Sequence, residues 1–275
     1  MTDRYCVFGN PVAHSKSPRI HAEFARLTGQ DMRYEARLAA RDDFAVSLAS
    51  FFSAGGKGCN ITVPFKEEAW RLAAVRSRRA EKAGAVNTLL QGKDGRLYGD
   101  NTDGIGLVRD LQLNAAYALK DRRVLVLGAG GAVRGILSPL LAEHTKSVVV
   151  VNRTVEKARQ LAHMFQAEGT IRSSDFAGLT GETFDLVING TSASLQGELP
   201  PVPAGVLAAD ALAYDMMYGA KPTVFLQWAA EHGAATRDGL GMLVEQAAEA
   251  FFIWRQVRPP TDSVLALQRA ELVKN

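Results

Sequence analysis

Short runs of Val, Ile and Leu recur along this chain, each closed by glycine or polar residues and followed by a helical pattern. Val124 to Leu127, Val148 to Val151 and Leu186 to Ile188 are the clearest. A half-solvated strand alternates apolar with polar residues. Near-continuous apolar strands instead fit a parallel sheet covered by helices on both faces. Tyr5 to Phe8 reads the same way, Met32 to Leu38 alternates, and Gly58 to Val63 is a short strand. Between them, Ser17-Pro18 opens a helix through Leu27 that Gly29 ends. Asp42 to Phe52 is helical with Gly55 and Gly56 as its stop, and another helix begins near Pro64. This alternation predicts βαβ units in an open α/β architecture.

At 275 residues the chain is long enough for two compact domains. Asn101 to Asp121 has no Pro- or Ser-rich tether and predicts a helical crossover into the second strand–helix series. Leu243 to Val257 is the last strong helix, apolar on a wide face and ended by Pro259-Pro260, and Leu199 to Pro203 reads as a surface loop. No internal repeat is seen.

Composition excludes several function classes. The chain is 47% hydrophobic and 22% charged, as ordinary globular proteins are, so neither disorder nor coiled coil describes it. A net charge of +3 is too small and too dispersed to argue for nucleic acid. The densest basic stretch, Arg71 to Lys82, reads as a solvated helix face. Two cysteines, Cys6 and Cys59, supply neither a disulfide framework nor a zinc site, and both read as small core residues. The five histidines are scattered and no metal is expected. The start lacks the basic-then-apolar form of a signal peptide and no apolar run is long enough for a membrane span, so a cytoplasmic protein is expected.

Two stretches carry chemistry. In the first, strand Val124 to Leu127 runs into Gly128-Ala129-Gly130-Gly131-Ala132 and a helix start. Gly128 permits the tight turn, Gly130 lets a pyrophosphate approach the backbone, and the helix N-terminus offers free N–H groups. Val133 occupies the third position of the usual glycine pattern. About 20 residues on, a site for NAD carries an acid for the ribose hydroxyl. Here Val148 to Val151 ends in Asn152-Arg153-Thr154, and a guanidinium suits a 2′-phosphate, so NADP is expected over NAD. Arg134 adds a second cation on the phosphate side.

The second stretch is a polar constellation in the first half. It comprises Ser15-Lys16-Ser17, Asn60-Ile61-Thr62-Val63-Pro64-Phe65-Lys66, Gly84-Ala85-Val86-Asn87-Thr88 and Gly99-Asp100-Asn101-Thr102-Asp103-Gly104. Alternation puts Asn60 and Thr62 on one face. Taken singly, Ser17 serves as a helix N-cap, Asn101 and Asp103 as turn formers and Lys66 as a surface lysine. Together they supply hydroxyls, amides, one ammonium and one carboxylate, the inventory that a small polyhydroxylated anion needs.

These motifs resemble those of the shikimate dehydrogenase family over nearly the whole chain. Besides the stretches above, the resemblance rests on Gly9-Asn10-Pro11 with His14-Ser15-Lys16-Ser17-Pro18, Asn189-Gly190-Thr191-Ser192, Tyr214-Asp215-Met216-Met217-Tyr218 and Asp238-Gly239-Leu240-Gly241-Met242-Leu243-Val244-Glu245-Gln246-Ala247. It implies two open α/β domains, the second a Rossmann-type NADP-binding domain, with the active site in the cleft between them. The substrate-binding domain would comprise residues 1–104 plus 240–275 and the NADP-binding domain residues 105–239. By position, Ser15, Ser17 and Tyr218 would hold the carboxylate of shikimate. Thr62, Lys66, Asn87, Asp103 and Gln246 would hold its hydroxyls, and Asn60 joins the same substrate-binding set. Gly128, Ala129, Gly130, Gly131, Ala132, Asn152, Arg153, Thr154, Lys157, Met216 and Gly239 would contact NADP. Ser194, Leu195 and Arg78 depart from what many relatives carry.

The implied reaction is reversible hydride transfer between NADPH and 3-dehydroshikimate, in aromatic amino acid biosynthesis. Lys66 is the candidate acid in one direction and base in the other, coupled to Asp103. His14 shapes the serine loop. No nucleic acid or membrane partner is expected, and the protein would be a monomer or homodimer. The rival readings are a quinate/shikimate dehydrogenase with broader substrate or NAD use, a methylenetetrahydrofolate dehydrogenase, and a non-catalytic NADP- or shikimate-sensing module.

Overall fold

The computed structural model describes residues 2–274, which divide into two compact units. The first holds Met1–Gly106 and Val244–Ala266, the second Leu107–Leu243 and Leu267–Asn275. Both units draw on the C-terminal stretch. There the chain continues past Pro259-Pro260 into one more helix, Asp262–Lys274, whose end groups with the second unit. An Arg269 guanidinium nitrogen donates to Asp238 at 2.6 Å, which accounts for that grouping.

In the first unit, strands β1 (Asp3–Gly9), β2 (Met32–Leu38), β3 (Gly56–Ile61), β4 (Val75–Arg76), β5 (Thr88–Gln91) and β6 (Leu97–Asp100) lie in the order β2-β1-β3-β5-β6-β4. β1 runs parallel to β2 and β3, but β3–β5 and β5–β6 are antiparallel, so this sheet is mixed. The reason is local. Only residues 92–96 join β5 to β6, with Gly95 at φ +77°, and so short a link permits a hairpin but no crossover. Helices α1 (Ser17–Thr28), α2 (Phe44–Ser53), α3 (Lys66–Leu72) and α4 (Arg78–Ala83) follow. Phe8, Phe44, Phe51 and Phe65 form the core with Cys6 and Cys59, which are opposite each other on β1 and β3. Helix α5 (Asp103–Arg109) leaves β6. Most of α9 (Leu240–Arg255) belongs to this unit: Trp254 stacks on Tyr5 at 4.8 Å, and its indole donates to the Leu89 carbonyl at 3.0 Å. A Cβ at Gly58 would lie 2.4 Å from that indole nitrogen, so Trp254 occupies the space that glycine leaves.

In the second unit, β7 (Arg123–Leu127), β8 (Ser147–Val151), β9 (Ile171–Ser174), β10 (Phe184–Asn189), β11 (Leu207–Asp215) and β12 (Ala235–Asp238) form a wholly parallel sheet. Its order is β12-β11-β10-β7-β8-β9. Counted from β7 this is the dinucleotide-binding order 3-2-1-4-5-6, with the order reversing between β7 and β10. Helices α6 (Gly131–Ala142), α7 (Val155–Phe165) and α8 (Val224–Glu231) make crossovers. Alternate residues feed two cores: Val124, Val126, Val148 and Val150 face one side, Leu125, Leu127, Val149 and Val151 the other. That double burial explains the unbroken aliphatic runs. Among the described residues, no helix is long and apolar enough to cross a membrane, and no cluster of His, Cys, Asp and Glu is arranged to hold a metal ion.

Candidate active site

The polar residues of the first half converge where β3 and β6 end. Lys66 starts α3 and Asp103 starts α5, and the Lys66 ammonium donates to Asp103 Oδ2 at 2.6 Å. Both are partly exposed, at 29% and 12% of their side-chain surface, so the pair is held but reachable from solvent. The other Asp103 oxygen accepts from Asn87 Nδ2 at 2.7 Å. The Asn87 amide is fixed in turn, because Thr102 N–H donates to its Oδ1 at 2.9 Å. Gln246 on α9 faces the same group, 3.4 Å from Asn87 Nδ2 and 3.3 Å from the Thr102 hydroxyl. Lys66, Asn87, Asp103 and Gln246, read from separate motifs, therefore form one cluster.

Thr62 follows β3 and is half-buried. A Cβ at Gly9 would stand 2.5 Å from the Thr62 methyl, which requires glycine there. Ser17 is buried at the start of α1, and its N–H donates to the Ser15 hydroxyl at 3.3 Å, so the two serines share one turn. His14 beside them is exposed. Asn60 is 6% exposed; its oxygen accepts from Tyr34 at 2.7 Å, and its amide nitrogen donates to the Asn87 carbonyl and the Thr88 hydroxyl, both at 3.1 Å. These bonds make Asn60 a brace for the cluster.

The basic stretch departs from expectation, since Arg79 is no solvated charge. Its guanidinium makes two 2.7 Å bonds to Asp100 and a third to Glu249 at 3.1 Å, and Asp100 accepts from Asn101 N–H at 2.7 Å. This ties α4 and α9 to the turn that presents Asp103. Arg76 lies over Trp70 at 4.4 Å and bonds to Glu81 at 2.6 Å, while Arg78 is exposed. Paired acids four or more residues away, invisible to local charge counting, convert these arginines into structural ones.

In the second unit the expected cofactor residues lie at the carboxyl ends of β7, β8, β11 and β12. Gly128 takes φ +107° and donates to the Val151 carbonyl at 2.7 Å, joining the turn to β8. Nothing lies within 4 Å of where a Cβ at Gly130 or Gly131 would be, so the backbone leading into α6 is bare. Ala132 is exposed and Ala129 half-buried. Asn152 donates to the Thr154 carbonyl at 3.0 Å, closing the turn that carries Arg153. Arg153, Thr154 and Lys157 are exposed, and Arg134 is half-buried. Among the described residues Arg153 makes no hydrogen bond or ion pair.

Val133 solves its own problem. It is fully buried, and a Cβ at Gly190 would fall 2.4 Å from its methyl and 3.1 Å from the Met216 sulfur. The close helix–strand approach usually given by a third glycine is thus given from the facing loop. Met216 is buried, and a Cβ at Gly239 would lie 2.2 Å from its carbonyl oxygen. Tyr218 lies in the same unit, half-buried, and burial followed by the Asp238 charge raises its pKa. The side chains of Ser194 and Leu195 lie outside the described residues.

Sequence reading missed the buried polar groups that brace these loops. Asn189 Oδ1 accepts from Thr191 N–H and hydroxyl at 3.1 and 2.7 Å, and Asp215 accepts from Met217 N–H at 3.0 Å and the Thr223 hydroxyl at 2.6 Å. Fully buried Asp110 accepts from Arg237 at 2.9 and 2.5 Å and from Tyr214 at 2.7 Å. A Cβ at Gly241 would collide with that carboxylate at 1.8 Å. Only the glycine spacing of the Asp238 to Gly241 segment hinted at such crowding.

Comparison with known proteins gives this arrangement its place. Residues 7–89 match the shikimate dehydrogenase substrate binding domain, 110–196 the shikimate/quinate 5-dehydrogenase model, and 239–267 the shikimate 5′-dehydrogenase C-terminal domain. The NADP(+) shikimate dehydrogenase of Chromohalobacter salexigens is 61% identical over 98% of this chain and 99% of its own. The chain belongs to the shikimate dehydrogenase family.

Solved structures agree with that assignment. A shikimate 5-dehydrogenase of Thermus thermophilus, crystallised with NADP(H) and shikimate, superposes with a TM-score of 0.85 at 33% identity, covering 98% of this chain and 100% of its own. The Ael1 enzyme of Pseudomonas putida gives 0.92 at 49% identity over 96% and 97%. As in other shikimate dehydrogenases, then, the first unit contains the substrate-domain match and the second the parallel dinucleotide-type sheet.

Proposed function

We propose that this chain interconverts 3-dehydroshikimate and shikimate with NADP(H), using Lys66 and Asp103 as a coupled acid/base pair. The observation that carries the reading is the Lys66–Asp103–Asn87 cluster, an ammonium and a carboxylate 2.6 Å apart with the carboxylate braced at 2.7 Å. Full-length relatives that use NADP(+) support the cofactor and substrate class.

The residues present fit the dinucleotide. Bare backbone at Gly130 and Gly131, a helix N-terminus behind it and exposed Arg153 at the end of β8 suit a pyrophosphate and a 2′-phosphate. When bound, the reduced dinucleotide supplies the hydride that a ketone carbon accepts. The ketone oxygen then carries negative charge. Lys66 stabilises that charge and donates a proton to the oxygen, leaving an alcohol; in reverse, neutral Lys66 removes the proton as hydride departs. Asp103 keeps the ammonium aimed, and Asn87 keeps Asp103 from rotating. Ser15 and Ser17 offer hydroxyls to the substrate carboxylate, while Thr62 and Gln246 offer partners to ring hydroxyls.

The test is initial rate from nicotinamide absorbance, crossing shikimate and quinate with NADP and NAD. Turnover confined to shikimate with NADP is expected. Substantial turnover of quinate, a saturated ring with one more hydroxyl, or substantial use of NAD would replace this reading with a broader-specificity one.

A further inference from the structure

A line of hydrogen bonds leaves Asp103 in the direction away from Lys66 and enters the core of the first unit. Two backbone groups set its polarity. Thr102 N–H can only donate, so the Asn87 end it meets is Oδ1 and the end facing Asp103 is the amide nitrogen. The Asn87 carbonyl can only accept, so the Asn60 end it meets is Nδ2 and the other end is Oδ1. The remaining links follow. Tyr34 O–H donates to Asn60 Oδ1 at 2.7 Å, and Asn60 Nδ2 donates to the Thr88 hydroxyl at 3.1 Å. Thr88 O–H donates to Asn87 Oδ1 at 2.9 Å, and Asn87 Nδ2 donates to Asp103 Oδ1 at 2.7 Å. Every donor points toward the carboxylate. Both Asp103 oxygens thus accept, the second from Lys66 at 2.6 Å.

The far end is closed. The His21 ring stacks on Tyr34 at 4.2 Å and 10°, is fully buried, and neither of its nitrogens has a hydrogen-bond partner. Burial pushes Tyr34 well above the usual tyrosine range and His21 down to about 3, so the phenol stays protonated beside a neutral ring. Ser17, expected at the substrate carboxylate, lies beside the same hydroxyl.

Resting on the activity proposed above, we infer that Tyr34, Asn60 and Thr88 are positioning residues: through Asn87 they fix the Asp103 carboxylate, and so the Lys66 ammonium, in the orientation that the proton transfer uses. None of the three has to touch substrate. A bond chain of one polarity resists amide flips, because reversing any member leaves a buried donor facing a donor.

Thr88→Val keeps the volume and removes the hydroxyl, Thr88→Ser keeps the hydroxyl and removes the methyl, and Tyr34→Phe keeps the stack on His21. The measurement is kcat and KM for shikimate and NADP in full-length protein, alongside the melting temperature. Thr88→Val and Tyr34→Phe should lower kcat roughly 10-fold while KM for NADP stays within 2-fold, and Thr88→Ser should hold the parental kcat. If Thr88→Val keeps kcat within 2-fold, or Thr88→Ser falls as far as Thr88→Val, the positioning role is wrong. Should Tyr34→Phe fail to fold, the Thr88 pair decides. Absence of parental turnover would refute the activity itself, whereas an active parent with unaffected variants refutes only this inference.

Discussion

The two units present their candidate binding groups in opposite ways. The first uses side chains held in a hydrogen-bonded network: Lys66, Asp103 and Asn87 all have protein partners. The second uses backbone kept bare. Gly130 and Gly131 have open space above them, Gly128, Gly190 and Gly239 are crowded by neighbouring helix and loop atoms, and Arg153 is exposed. Side-chain networks fix the orientation of each polar group but are sensitive to deletion of a polar atom. Backbone sites tolerate polar change but not added volume.

The largest effect should come from breaking the first design. Lys66→Ala is expected to lower kcat by roughly 10²–10⁴-fold, with KM for shikimate changed only a few-fold and NADP affinity unaltered. Steady-state kinetics with calorimetric titration of NADP checks both parts. A kcat near the parent's removes Lys66 from the chemistry.

Gly239→Ala should show the mirror image. The added methyl meets a backbone carbonyl, Met216 O at 2.2 Å, which no side-chain rotation relieves. Overpacking of about 1–3 kcal/mol is expected, with weaker NADP binding and a lower melting temperature. Shikimate binding in the absence of dinucleotide should stay within a few-fold, and loss of it would show that the units do not divide the work as argued.

Acid sharpens the contrast further. His21, held near 3 by burial, refuses a proton that the unfolded chain accepts at its ordinary value of about 6.5. Stability is therefore lost as pH falls below about 6.5 and continues to fall toward 3, by up to about 1.4 kcal/mol per pH unit. No histidine among the described residues of the second unit is buried. Hydrogen exchange should show β1 and β2 losing protection before β7 and β8 on acidification, and His21→Phe should narrow that gap. An unchanged gap in the variant would assign the acid response to other groups.

What the sequence made legible follows the same division. The second unit announced itself, because a doubly buried parallel sheet forces unbroken aliphatic runs and a dinucleotide turn forces glycines at fixed spacing. The first unit's cluster was legible by residue type, but its wiring was not. Asn60 read as a ligand contact, and only the fold brings Tyr34 and Thr88 to its polar atoms. Arg79 read as a surface charge because its partners, Asp100 and Glu249, are 21 and 170 residues away. The β5–β6 hairpin passed unnoticed since its strands have four residues each. The helix Asp262–Lys274 carries no apolar stripe to betray it. Val133 looked like a departure until Gly190 was seen against it, a contact between residues 57 apart in sequence, from 190 − 133.

The smallest predicted effect tests whether the second unit is as open as it looks. Arg153 follows β8, where a site for NAD would carry an acid. It is exposed and unpaired among the described residues, so removing it takes nothing from the fold. Its guanidinium would meet only the 2′-phosphate, a group that NAD lacks. Arg153→Ala should therefore raise KM for NADP about 10-fold, the value of a charge-assisted bond partly screened by water, while KM for NAD stays within 2-fold and the melting temperature does not move. Equal weakening of both dinucleotides would mean that Arg153 serves the part they share. The preference for NADP would then have to come from Arg134, Asn152, Thr154 or Lys157 instead, and the second unit would be more tightly wired than its bare backbone suggests.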